Sequence, residues 1–228
     1  MTELRRFCKQ NRDGLLVLFC GAVYLLWFFF LEQHVTNNYH IIHVALDDYI
    51  PFCEYFIVPY LLWFVYVIGF WCFFYRRERA IFRKMSVFLF TGMFAALLLC
   101  TIYPNGTDFR PAVNPDKNVF SALVFWLYGA DTPTNVLPSI HVFNSIGIHT
   151  AIMQSEYFRN KRGVRSLSFA LCVLICMATV FLKQHSIVDV IAASVMAYAV
   201  YGAVYLPDAE TVPARTAKHR IFLGNSEN

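Results

Sequence analysis

The sequence predicts an all-α, polytopic membrane protein: six transmembrane helices in one domain, with both termini cytoplasmic. Three observations carry that reading. The 228-residue chain is 58% hydrophobic and 15% charged, with a mean hydropathy of +0.49. Soluble domains average about 45–50% apolar and about 25% charged residues. The apolar residues fall in runs long enough to cross a bilayer. The charges gather between those runs, and the basic ones keep to alternate gaps.

The first run, Gly14–Leu31, follows Arg5, Arg6, Lys9 and Arg12. It is long and aromatic and has no small-residue cleavage site after it, so it reads as a retained span rather than a signal peptide. Phe56–Tyr75 and Ser86–Tyr103 are the second and third spans, separated by Arg76, Arg77, Arg79, Arg83 and Lys84. Ser139–Met153 is the fourth. Arg159, Lys161, Arg162 and Arg165 separate it from the fifth, Leu167–Leu182. The sixth, Ser186–Leu206, precedes Arg215, Lys218 and Arg220 in a polar tail expected to be mobile. The fourth and sixth runs carry small and polar residues (Ser145, Gly147, His149; Ala192, Ala193, Ser194), which suit helix–helix contact. Tyr and Trp crowd the span ends, as interfacial anchors do.

Sixteen of the 19 Lys and Arg fall on one side of this arrangement. The positive-inside rule makes that side cytoplasmic. Only Arg110, Lys117 and Lys183 lie on the outer side. The net charge of +4 is therefore a topology signal and gives no reason to infer nucleic-acid binding. The seven cysteines lie mostly inside spans and include no C-x-x-C pair, so neither disulfides nor a metal centre is expected.

Two outer segments are long, Glu32–Tyr55 and Pro104–Pro138. The stretch Asn118–Tyr128 in the second reads as a helix lying on the interface. His40, His43, Asp47, Asp48 and Glu54 in the first are spaced too loosely for metal ligands and read as a lid. Asn105-Gly106-Thr107 fits a glycosylation sequon.

Two short blocks carry the chemistry: Pro138-Ser139-Ile140-His141, and Lys183-Gln184-His185-Ser186-Ile187-Val188-Asp189. The inferred topology brings both to the outer face. His185 and Asp189, four apart, share a face if both are helical. The carboxylate can then hold one ring nitrogen and leave the other as a nucleophile, while His141 protonates a leaving group. Pro138 suits a first helical turn, and the N–H groups of Ser139, Ile140 and His141 would then point outward as an anion site.

These blocks resemble the type 2 phosphatidic-acid phosphatase superfamily of membrane lipid phosphatases and phosphotransferases, whose motifs are K-x6-R-P, P-S-G-H and S-R-x5-H-x3-D. Arg110-Pro111, Pro138–His141 and His185–Asp189 match in order and spacing, over roughly residues 86 to 206. The resemblance implies that His185 carries a phosphohistidine, Asp189 orients it, and His141 is the acid and base. It implies that Arg110, Ser139 and the Ile140 N–H hold phosphate oxygens, with no metal or other cofactor. The first-motif lysine falls at Tyr103, the third-motif Ser-Arg at Ala178-Thr179, and the glycine of P-S-G-H at Ile140. Lys183, and less directly Lys117, are the outer-side substitutes for the missing cations. The bulkier residue between Ser and His is similar to the inositol-phosphoceramide and sphingomyelin synthase branch.

The leading expectation is a lipid phosphatase acting on a lipid phosphate or polyprenyl diphosphate, with the site facing outward and a bacterial plasma membrane suiting the small size. A lipid headgroup phosphotransferase would use the same histidines with an alcohol replacing water. A transporter or inactive scaffold is the non-enzymatic alternative.

Overall fold

Long apolar runs have to satisfy every backbone hydrogen bond internally when they enter a bilayer, and the helix is the local solution. The computed structural model describes residues 11–206 and is mostly helical, at 72%. Its helices are α1 (Arg12–His34), α2 (Ala45–Tyr49), α3 (Ile57–Arg77, preceded by a 3-10 turn, Glu54–Phe56), α4 (Arg79–Ile102), α5 (Val119–Ala130), α6 (Ile140–Gln154), α7 (Arg162–Phe181) and α8 (Ile187–Tyr205). Five are long and apolar enough to cross a membrane: α1, α3 with its 3-10 turn, α4, α7 and α8. The chain is therefore an all-α membrane protein in its main architecture.

The fourth expected span differs. Helix α6 has 15 residues. At 1.5 Å per residue it is about 22 Å long, against a hydrocarbon core of about 30 Å. It lies at the centre of the bundle, packed by α3, α4, α7 and α8, so protein rather than lipid surrounds it. Gly92 and Gly147 let α4 and α6 approach closely. A Cβ on Gly92 would sit 2.1 Å from the Phe143 ring, and one on Gly147 2.7 Å from Phe88. Small residues serve this purpose between membrane helices. The two rings stack between them, with centroids 4.8 Å apart.

The expected boundaries need other corrections. Helix α4 starts at Arg79, well before Ser86, because the charged first turns are helical although they are not apolar. Two-residue strands, β1 (His40–Ile41) and β2 (Asn105–Gly106), pair in parallel and tie the two long connections together. Asn105 is wholly buried and accepts from the Val136 and Leu137 N–H groups, so the sequon is no surface acceptor. The helix expected at the interface is α5, capped by the Asn118 side chain on the Ser121 N–H. It buries Ser121, Val124 and Leu127 and exposes Phe125 and Trp126.

The two ends of the bundle differ in chemistry. One end holds the Arg83–Asp13 ion pair at 2.7 Å, the Tyr75–Asn11 hydrogen bond, and Glu78 accepting from Ser155. It is the basic end. The other gathers the two long connections, the start of α6 and the turn from α7 to α8. Arg5, Arg6, Lys9, Arg215, Lys218, Arg220 and the polar tail lie outside the described residues.

Candidate active site

The turn between α7 and α8 is specified from both sides. Helix α7 ends in a Schellman arrangement: Gln184 N–H donates to Thr179 C=O at 3.0 Å and Lys183 N–H to Val180 C=O at 3.1 Å. Lys183 stands at the left-handed position, with φ 53°, where glycine is usual. Helix α8 opens with a capping box: Ser186 Oγ accepts from Val188 N–H, and Asp189 accepts from Ser186 N–H at 3.0 Å.

His185 lies in this turn, before the cap residue Ser186. It therefore does not share a helix face with Asp189, contrary to the sequence expectation. The turn makes the contact instead: His185 Nδ1 is 3.2 Å from Asp189 Oδ2, the oxygen that also accepts the Ser186 N–H. Asp189 is fully buried and His185 nearly so. With Nδ1 held, Nε2 is the free nitrogen.

Across from it, the α6 N-terminus differs from expectation too. Ser139, not Pro138, borders the helix: its Oγ accepts from Val142 N–H, and its own N–H donates to Asp189 C=O at 3.3 Å. Pro138 precedes the cap, and Ile140 and His141 supply the first helical N–H groups. The His141 ring packs against Tyr60, at 4.5 Å between centroids, and Trp63, at 4.4 Å. Its centroid is 5.8 Å from that of His185. Its Nδ1 is buried without a partner.

Arg110 closes the third side. Its Nη1 donates to Asp131 C=O at 2.6 Å, and its Nη2 to Thr132 C=O at 3.0 Å and to the Gln184 side-chain carbonyl. The guanidinium is 3.8 Å from the Asp131 carboxylate and lies over the Tyr128 ring. Its Nε is buried without a partner, as is Gln184 Nε2. Glu32, at the end of α1, accepts from the Thr132 hydroxyl at 2.5 Å and from Asn135 Nδ2 at 2.9 Å, and so holds the connection that carries Asp131. Burial pushes the Asp131 carboxyl up to about 6; Arg110 opposes the rise and Glu32 adds to it.

These groups enclose a cavity of about 50 Å³. One water needs about 10–15 Å³ of such volume. His141, His185, Arg110, Ile140, Gln184 and Asp131 line its polar wall, and Tyr24, Phe28 and Leu97 of α1 and α4 line its apolar wall. Unpaired donors at Arg110 Nε and Gln184 Nε2, with the first-turn N–H groups of α6, suit an anion.

The structure thus brings His185, Asp189, His141, Arg110 and Ile140 together. It sets two expected residues apart. The Ser139 hydroxyl is engaged in its cap. Lys183 is turned away: its Nζ donates to the backbone carbonyls of Asp47 (2.6 Å) and Ile50 (2.5 Å). Lys117 pairs with Glu54 at 2.5 Å. Tyr103, at the family's lysine position, stacks on His40. Neither substitute cation reaches the cavity, because each is already held by nearer oxygens. In the first outer segment His43 pairs with Asp48 at 2.9 Å, while Asp47 turns inward.

Sequence reasoning did not find Gln184, Glu32, Tyr60 or Trp63 as members of this cluster. Gln184 had a signal, its position beside His185. The others come from distant spans and are joined to it only by packing. The chain matches no protein-family model, no curated protein and no solved structure.

Proposed function

We propose that this chain is a phosphoryl-transfer enzyme of the membrane surface, a lipid phosphatase of the type 2 phosphatidic-acid phosphatase kind acting on a lipid phosphate or polyprenyl diphosphate. The observation that carries the reading is the His185–Asp189 pair facing His141 across a cavity walled by Arg110. His185 Nε2 attacks phosphorus in line, and the bond to the leaving oxygen breaks as His141 gives that oxygen a proton. Asp189 stabilises the charge that develops on the His185 ring. His141, now neutral, takes a proton from water, which attacks the phosphohistidine and releases phosphate. Arg110 and backbone N–H groups offset the equatorial charge, so the reaction rests on positioning and electrostatics.

A second reading is favoured by one feature. Arg110 is the one cation lining the cavity among the described residues, and Asp131, Thr132 and Gln184 already share it. A single shared guanidinium suits the monoanion of a phosphodiester better than the higher charge of a monoester or diphosphate. That favours transfer of a lipid headgroup phosphate to an alcohol.

On either reading the chain crosses the membrane six times, α6 being a short central crossing inside the bundle. Both termini lie on the basic, cytoplasmic side and the cavity faces outward. The small size suits a bacterial plasma membrane.

The test is phosphate release by detergent-purified protein, in EDTA, from phosphatidic acid and undecaprenyl diphosphate, beside His185→Ala. Release that survives EDTA and disappears in the variant is the expected result. Loss with EDTA and rescue by one divalent ion would overturn the mechanism. Headgroup transfer between paired lipids without phosphate release would select the second reading.

A further inference from the structure

The short helix α2 is far from His185 in sequence, yet its one buried carboxylate reaches the nucleophile's turn. Asp47 is 2% exposed. Its Oδ2 accepts the Ser186 hydroxyl at 2.6 Å and the Val44 N–H at 3.0 Å, and its Oδ1 accepts the Ile187 N–H at 2.9 Å.

The first turn of a helix leaves N–H groups that need acceptors. Here Val188 N–H goes to Ser186 Oγ and Asp189 N–H to Ser186 C=O. The Ile187 N–H has no acceptor on its own helix, and Asp47 supplies one. The same carboxylate holds the Ser186 hydroxyl, whose backbone N–H shares an Asp189 oxygen with His185. Asp47, Ser186, Asp189 and His185 thus form one chain of hydrogen bonds. Lys183 fastens the other side of the turn to the carbonyls of Asp47 and Ile50. Residues 44–50 therefore grip the turn on both sides of His185.

We infer that Asp47 is a positioning residue: it fixes the turn 183–187 so that His185 presents its free nitrogen to the cavity, and the outer segment thereby controls the nucleophile. The inference rests on the phosphoryl-transfer reading for its kinetic arm and on geometry alone for its chemical arm. Asp47 touches neither His185 nor the cavity, and acts through Ser186 and Asp189.

Two readouts on Asp47→Ala and Asp47→Asn test it. The Asn variant keeps the shape of the side chain and serves if the Ala variant does not fold. The first readout is the rate at which diethyl pyrocarbonate modifies His185, mapped by mass spectrometry, with His149 on α6 as the internal reference. A released turn exposes His185, so its modification speeds several-fold while that of His149 stays constant. Unchanged modification, or an equal rise at both histidines, overturns the inference. The second readout is turnover. A nucleophile displaced by about 1 Å loses about 10²-fold in rate, so kcat falls by that order while KM holds within a small factor. Unchanged kcat overturns the inference. If the parent protein releases and transfers no phosphate, the enzymatic reading fails, and the modification ratio still decides whether Asp47 positions His185.

Discussion

His185 and Asp189 meet at 3.2 Å through the carboxylate oxygen that also caps helix α8. On the proposed reading one group serves the fold and the chemistry, and substitution separates the two duties. Asp189→Asn leaves a carbonyl oxygen for the Ser186 N–H but removes the charge facing the His185 ring. Its thermal midpoint is expected to stay near the parent's, while turnover falls by about 10²–10⁴-fold, the range of acid–base assistance. Asp189→Ala loses both the cap and the activity, with about 1 kcal/mol of the stability loss coming from the cap. Thermal denaturation beside steady-state rates checks both; an Asn variant as active as the parent would dismiss the carboxylate's role.

His141 has no carboxylate partner and packs against two aromatic rings. His141→Ala is expected to lower kcat by about 10²–10⁴-fold. Tyr60→Leu, which removes one of the two rings packed against His141, should lower it less. Rate profiles of the three proteins between pH 4 and 9 would show it.

Asp131 gives a pH dependence with a definite sign. Its carboxyl is raised from 3.8 to about 6, so the folded protein binds the proton more tightly than the unfolded chain. The penalty is absent below 3.8. It grows as pH rises and is fully present above about 6. Stability contributed at this site therefore falls across that window, and Asp131→Asn removes the slope. Ionised Asp131 also competes with an anionic substrate for Arg110, so KM should climb through the same window in the parent and stay flat in the variant. Denaturation midpoints and KM measured at intervals from pH 4 to 7 decide it.

Lys183 and Lys117 make opposite predictions from those of cations that bind substrate. Lys183→Ala loses two charge-assisted hydrogen bonds to carbonyls and should cost about 2–3 kcal/mol of stability. It should speed amide exchange over residues 44–50 while KM changes little. Lys117→Ala removes an exposed ion pair and should leave stability near the parent's. A selective rise in KM for Lys183→Ala would instead return that lysine to the phosphate.

The main helices were legible because apolar runs and basic gaps are dictated by the bilayer, residue by residue. The His185–Asp189 contact was legible because the two lie four residues apart, although a turn and not a shared helix face makes it. The details failed where packing decides. Helix α6 is only 15 residues long and is enclosed by four helices, and no hydropathy window contains that fact. Lys183 read as a free cation because the carbonyls that hold it come from a segment more than 130 residues away. In the first long connection Asp47 read as part of a lid, and Glu32 had no expected role. Each is an acceptor for backbone or hydroxyl donors on another connection, a relation that exists only once the bundle has closed.

The sealed Nδ1 of His141 constrains the order of events. With that nitrogen shut in the protein, a proton passes to and from this ring only through the nitrogen on the cavity side. The departing oxygen and the incoming acceptor must then occupy the same spot at different times. The first product leaves before the second reactant enters. On the proposed reading the enzyme is obliged to work by double displacement, and with two lipid substrates its reciprocal rate plots would run parallel.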